Sequence, residues 1–159
     1  MSKICLIVNT VSKNNDVWDM FFQQIKKHAP SDFFDKKYVF VDDDLNKIPK
    51  DYKIIKYDPN EKYQQQFSSC ISQVEEEYCV YISEDYLLYE NVDYEKISEF
   101  KDILHLDKSL SFIRFMRGGV YDGPFESYAD NLFILPNTIE YFYTNQAALW
   151  NTRDLEKIH

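Results

Sequence analysis

Glu84 and Asp85 stand side by side at the end of the run Tyr78-Cys79-Val80-Tyr81-Ile82-Ser83, and a second apolar stretch, Tyr86–Tyr89, follows them. An aromatic and β-branched run that stops in two carboxylates reads as a buried strand delivering acid to its own C-terminal end. In open α/β sheets, ligands bind in the crevice beyond the carboxyl ends of the strands. Carboxylates placed there suit a hard cation and, through it, a phosphate. Neighbouring side chains of an extended chain point to opposite faces, so one carboxylate ligates while the other orients a hydroxyl or a supporting group. Mg²⁺ or Mn²⁺ needs only one or two protein carboxylates when substrate phosphates and waters complete its shell. The competing reading is a turn or helix start carrying solvated acids.

Three further groups of residues have chemical potential. The chain has only three glycines, Gly118, Gly119 and Gly123, and all lie in the stretch Arg114–Pro124 with two of the three arginines, Arg114 and Arg117. Glycine permits close approach of backbone to a ligand, and an arginine fork suits diphosphate or carboxylate. A bulged hairpin with a Gly-Pro turn explains the same residues. Asn9-Thr10 and Asp42-Asp43 end the first two apolar runs; in a doubly wound sheet they share an edge with Glu84 and Asp85, where polar side chains can read a nucleoside. Ordinary turn chemistry is the alternative. In Asn145–Asn151, Trp150 can stack on a sugar face and Gln146 can bond its hydroxyls, unless the tryptophan is a core residue of a terminal helix pair.

Other devices are missing. No G-x-S-x-G elbow, H-E-x-x-H or paired C-x-x-C occurs. No glycine follows the first strand, which excludes a Walker-type phosphate loop and a Rossmann fingerprint. His28, His105 and His159 have no partner nearby in sequence to make a histidine base.

The elements that must position these residues alternate. Strands are expected at Ile4–Val8, Tyr38–Val41, Tyr52–Tyr57, the run before Glu84, Leu110–Phe115 and Leu132–Leu135. Helices are expected from Asn14 or Asn15, with Val17, Trp18, Phe21, Phe22 and Ile25 inward, over about 61–77, and over about 93–105. A capping box at Asn137 and Glu140 opens another, bearing Ile139, Phe142, Tyr143 and Ala147. Alternating strands and helices imply an α/β fold, a mostly parallel sheet covered on both faces.

Composition narrows the class. A chain of 159 residues with 45% hydrophobic content is an ordinary globular unit with one core, so disorder is excluded. The net charge of −9 is localised: residues 75–107 carry 2 Lys/Arg against 11 Asp/Glu, while residues 1–74 carry 11 against 10. With no basic stripe, nucleic-acid binding is disfavoured. Cys5, Cys70 and Cys79 read as reduced core residues. The first apolar run is too short for a signal or a transmembrane segment, and the expected setting is cytoplasmic.

Taken in order, the Ile-Val-Asn-Thr start, the Phe-Val-Asp-Asp second strand, Tyr-Cys-Val-Tyr-Ile-Ser-Glu-Asp-Tyr and the late Gln-Ala-Ala-Leu-Trp-Asn resemble glycosyltransferases of the A-type fold. The resemblance implies one Rossmann-like domain over residues 1–159 that binds a nucleotide-sugar donor and passes the sugar to a carbohydrate or other acceptor. It implies that Asn9, Thr10, Asp42 and Asp43 face the nucleoside, with Glu84, Arg117, Gln146 and Trp150 also on the donor. Asp85 takes the metal position for Mn²⁺ or Mg²⁺. Asp122 and Glu126 are placed as catalytic candidates by position. Serine stands at position 83 where the family's Asp-x-Asp motif has its first acid, which puts metal binding in question. A catalytically weak or inactive module that binds sugar nucleotide or a partner protein is the alternative.

Overall fold

Ile4–Asn9 forms β1, a strand buried on both faces. In the computed structural model of the protein, the structure describes residues 3–29, 32–116, 125–136, 138 and 146–158. A short turn of 3₁₀ helix at Ser12–Asn14 leads into α1, Asn15–His28. Then follow β2 (Lys36–Val41), β3 (Lys53–Lys56), α2 (Tyr63–Ile71), β4 (Tyr78–Ser83) and α3 (Tyr94–Leu106). The chain continues through β5 (Phe112–Arg114), β6 (Ser127–Ala129), β7 (Leu132–Phe133), β8 (Ala148–Asn151) and α4 (Thr152–Ile158).

Six strands make one sheet in the order β3-β2-β1-β4-β8-β5; β6 and β7 pair apart from it as a small ribbon. β3, β2, β1 and β4 are parallel neighbours, while β8 runs antiparallel to β4 and to β5. The chain moves outward from β1 to β2 and β3, then returns to lay β4 on the other side of β1. Strand order therefore reverses between β1 and β4. That is where an open α/β sheet leaves a crevice at its carboxyl edge.

The period of two along each strand divides the core. Leu6, Val8, Val39, Val80 and Ile82 pack on one face with Trp18, Phe21 and Ile25 of α1 and Ile97 and Leu104 of α3. Cys5, Ile7, Phe40, Cys79 and Tyr81 pack on the other with Phe67, Cys70 and Ile71 of α2 and Leu155 of α4. Burial on both faces explains why these strands read as continuous apolar runs. All three cysteines are free and buried. Among the described residues, no helix is long and apolar enough to cross a membrane.

Two expectations are corrected. The helix over 61–77 stops at Ile71. Gln73 and Val74 donate back to Cys70 and Ile71 in a turn that buries Val74 and starts β4 at Tyr78. Glu75, Glu76 and Glu77 would otherwise crowd the negative end of the helix dipole. The segment expected to close in a helix pair is instead strand β8. Its short apolar run serves both core clusters, Leu149 in one and Ala148 and Trp150 in the other. Such a run does not distinguish strand from helix by periodicity. The Asn137/Glu140 capping box and its helix lie outside the described residues, as do the three glycines.

Candidate nucleotide pocket

A pocket of about 250 Å³ opens at the reversal point. Asn9, Thr10 and Val11 from the end of β1, and Ser83 and Glu84 from the end of β4, form its polar side. Asn9 and Ser83 are register partners, which holds the two strand ends level. Phe40, Tyr57, and Tyr63, Gln66, Phe67 and Cys70 of α2 complete the lining.

Each wall is fixed by named interactions. The Thr10 hydroxyl accepts from the Trp18 indole N–H at 2.8 Å, and the Thr10 N–H donates to the Phe40 carbonyl at 3.0 Å. The Tyr57 hydroxyl donates to the Thr10 carbonyl at 2.9 Å. Burial first, and the nearby Asp42 charge second, push the Tyr57 hydroxyl up to about 12, so it stays a neutral donor at neutral pH. Phe67 packs edge-on to Phe40 and Tyr81, and Tyr63, a residue 44% exposed, leans over Phe67. A partly exposed ring at a pocket rim offers a flat apolar face to a planar ligand.

Glu84 is the acidic group of the pocket. It is buried, and its Oε1 accepts from the Asn14 side-chain amide at 2.5 Å. A carboxylate is an acceptor with several lone-pair positions, so one amide leaves capacity for ligand O–H or N–H groups. Asp85 turns outward and is exposed. The turn is closed by the Tyr86 N–H donating to the Ser83 carbonyl at 3.2 Å. The two acids do diverge, but through this turn and not through the alternation of an extended strand, which ends at Ser83.

The remaining candidates are placed as follows. Asp42 accepts from the Ser12 N–H at 2.6 Å and the Ser12 hydroxyl at 2.7 Å, behind the pocket wall. Burial pulls its pKa upward, but the Ser12 bonds with the Asp43 N–H outweigh that and hold the carboxyl below its ordinary value. Asp43 is exposed and ion-paired with Lys56 at 3.2 Å; Asp44 shares that lysine at 2.7 Å. Because β8 is antiparallel to β4, its start, not its end, reaches the carboxyl edge. Ala148 sits opposite Tyr81 and Arg114, whereas Trp150 sits opposite Cys79, toward the amino edge of the parallel strands. Gln146 is thus near the edge, its Oε1 accepting from Arg114 Nε at 3.1 Å. Trp150 is 1% exposed and stacked on Phe112 at 4.2 Å, so its ring has no free face for a sugar. Glu126 is exposed just before β6 and is absent from the pocket lining. Asp122 and Arg117 lie outside the described residues.

Tyr57, Tyr63, Gln66 and Phe67 were not foreseen as site residues. Tyr63, Phe67 and Cys70 recur at helical spacing, and that spacing looked like core alone; in fact this stripe of α2 both packs on the sheet and closes the pocket. For a metal, the described residues gather no group of three or more His, Cys, Asp or Glu side chains. The one exposed carboxylate that directly follows β4 is Asp85. That fits only a hard cation whose shell comes mostly from substrate phosphates and water.

No family model and no curated protein matches the chain. Among solved structures, S. aureus TarS matches at TM-score 0.62 and 17% identity, covering 98% of this chain and 29% of that one. S. aureus TarS 1-349 in complex with UDP-GlcNAc matches at TM-score 0.58 and 16% identity, over 98% and 47% of the two chains. Francisella tularensis 2-C-methyl-D-erythritol 4-phosphate cytidylyltransferase (IspD) matches at TM-score 0.54 and 12% identity, over 98% and 76%. The chain therefore has the α/β fold, built on a mostly parallel six-stranded sheet, that these nucleotide-handling proteins share. It spans less than half of the length of either TarS chain.

Proposed function

We propose that this chain is the donor-binding domain of a nucleotide-sugar-dependent glycosyltransferase. The observation that carries the proposal is the pocket at the strand-order reversal. There a buried carboxylate, Glu84, faces the Asn9-Thr10 strand end under the aromatic rim of Tyr57 and Tyr63. The TarS fold bound to UDP-GlcNAc supports the choice of donor class. Glu84 would accept from hydroxyl or N–H groups of the nucleoside, Tyr63 would stack on the base, and Thr10 would set the backbone beneath it.

Asp85 would hold a divalent ion, Mn²⁺ or Mg²⁺, and that ion when bound offsets charge developing on the departing diphosphate. Arg117, Asp122 and Glu126 stay as candidates for phosphate contact and proton transfer. Glycosyl transfer needs such support because positive charge develops at the anomeric carbon, as it does in glycoside cleavage. Titration calorimetry with a panel of nucleotide sugars, with and without Mn²⁺, tests the proposal. It predicts saturable binding of at least one donor, and binding of none rejects it.

A module that binds donor without transferring sugar is the second reading. Serine at position 83 and the single exposed carboxylate favour it. Donor binding with no transfer or hydrolysis of the sugar nucleotide would support it, and turnover would exclude it. The IspD likeness points to nucleotidyl transfer as a third chemistry. The lack of a glycine after β1 speaks against that chemistry.

A further inference from the structure

Asp42 directly follows β2 and does not line the candidate pocket. Both of its carboxylate oxygens accept from Ser12, Oδ1 from the N–H at 2.6 Å and Oδ2 from the hydroxyl at 2.7 Å. Ser12 opens the 3₁₀ turn Ser12–Asn14, and Val11 before it has no polar side chain to cap that turn. The cap comes instead from Asp42, 30 residues away. A carboxylate bonded to an N–H and an O–H makes the strong, charge-assisted kind of hydrogen bond.

The rest of the turn is fixed in the same way. The Asn14 N–H donates to the Val11 carbonyl at 2.9 Å, and the Asn15 side-chain amide donates to the Ser12 carbonyl at 2.8 Å. Asn15 Oδ1 accepts in turn from Lys47 at 2.6 Å. From this held backbone the Asn14 side chain reaches across to Glu84 Oε1. Among the described residues, Asn14 is the one side chain that donates to Glu84. Asn14 itself is exposed, so its own surroundings do not lock its rotamer; the turn beneath it must do so. Binding groups keep their geometry only when the residues that support them are themselves held.

We propose that Asp42 is a positioning residue for the pocket: through Ser12 it fixes the turn after β1, so that Asn14 holds the Glu84 carboxylate where a ligand meets it. The proposal gives a role at a distance to a residue whose type and place suggested direct contact with the nucleoside. It rests on the donor-binding reading of the pocket only for its effect on affinity. The path from Asp42 to Asn14 belongs to the ligand-free protein.

Ser12→Ala, Ser12→Thr and Asp42→Asn, each alone and combined with Asn14→Ala, test it by two measurements. In the absence of ligand, nuclear magnetic resonance follows the Asn14 side-chain amide. Its signal should be displaced from the free-amide position in the unaltered chain and in Ser12→Thr, and should move back toward that position in Ser12→Ala and Asp42→Asn. With nucleotide sugar, calorimetry should show binding about tenfold weaker in Ser12→Ala and Asp42→Asn, the worth of about one hydrogen bond to a charged group. Ser12→Thr keeps the hydroxyl and should bind as the unaltered chain does. In the Asn14→Ala background the same changes should cost no further affinity, because residues acting along one path are not additive. Losses that add in full, no rescue by Ser12→Thr, or an unmoved Asn14 signal overturns the proposal. Ser12→Ala keeps the backbone bond to Asp42, so it decides the matter should Asp42→Asn not fold. If no nucleotide sugar binds the unaltered chain, the donor reading falls while the Asn14 signal still decides the link from Asp42.

Discussion

The Asn14 side-chain amide donates to Glu84 Oε1 at 2.5 Å across 70 residues of sequence. It joins the turn after β1 to the end of β4, the two strand ends between which the candidate pocket opens. A buried carboxylate needs such a donor, because an ionised group without one is strongly penalised. Asn14 therefore both stabilises the edge and aims the acceptor that a ligand would meet.

Asn14→Ala should lower stability by about 1–3 kcal/mol, the cost of under-satisfying a buried polar group. Glu84→Gln should lose less stability but weaken nucleotide-sugar binding, since an amide offers one acceptor oxygen where the carboxylate offers two. Urea midpoints and calorimetric affinities measured on both variants separate the two effects. Equal donor affinity in Glu84→Gln and the unaltered chain would remove Glu84 from the site.

Tyr63→Ala tests the stacking platform. Loss of a base–aromatic stack weakens binding by about 1–3 kcal/mol, and the exposed ring contributes little to folding. The melting temperature should barely move while nucleotide affinity falls. A large drop in melting temperature with unchanged affinity would show Tyr63 to be a packing residue only.

Asp85→Asn should abolish any gain in donor affinity on adding Mn²⁺, while the metal-free affinity stays as it was. Calorimetry with and without EDTA measures that difference. If Mn²⁺ strengthens donor binding equally in both proteins, the ion is held elsewhere.

Asp42 supplies a pH signature. Its folded pKa lies below the unfolded value, so its contribution is fully present above the ordinary carboxylate pKa. That contribution is lost as pH falls through the folded one. Stability of the unaltered chain should decline on the acid side, and Asp42→Asn or Ser12→Ala should flatten part of that decline. Urea midpoints between pH 5 and about 2 provide the check. An identical acid limb in Asp42→Asn would show that the Ser12 contacts do not matter.

Trp150→Ala should cost about 3–5 kcal/mol, as for other buried aromatics, through loss of the Phe112 stack and the core around Cys79. Because Trp150 lies buried opposite Cys79, away from the carboxyl edge, donor affinity at a temperature where the variant is folded should be retained. Denaturant unfolding and calorimetry together test this, and selective loss of affinity would return Trp150 to the site.

The strands and helices were legible where burial imposes a period. The runs at Ile4, Tyr38 and Tyr78 are buried on both faces and read as continuous apolar segments, and α1 shows its stripe of Trp18, Phe21, Phe22 and Ile25. β8 was not legible, because four residues cannot show a helical period or exclude one. Glu75 to Glu77 were assigned to a helix by apolar spacing on either side, without weight given to the helix dipole.

The sequence by itself determined that acids follow an apolar strand at Glu84 and Asp85, and that Asn9 and Thr10 close another. Those facts are local, set by residue order. Only the tertiary structure decided which of these ends meet. β4 returns beside β1, so Glu84 joins Asn9 and Thr10, while α2 folds over them and turns Tyr63 and Phe67 into a wall. Strand direction decided the rest: antiparallel β8 brings Gln146 toward the carboxyl edge and leaves Trp150 in the core. Neither pairing partner nor strand direction is encoded in any short stretch of residues, because both are settled by how whole elements bury their faces against one another.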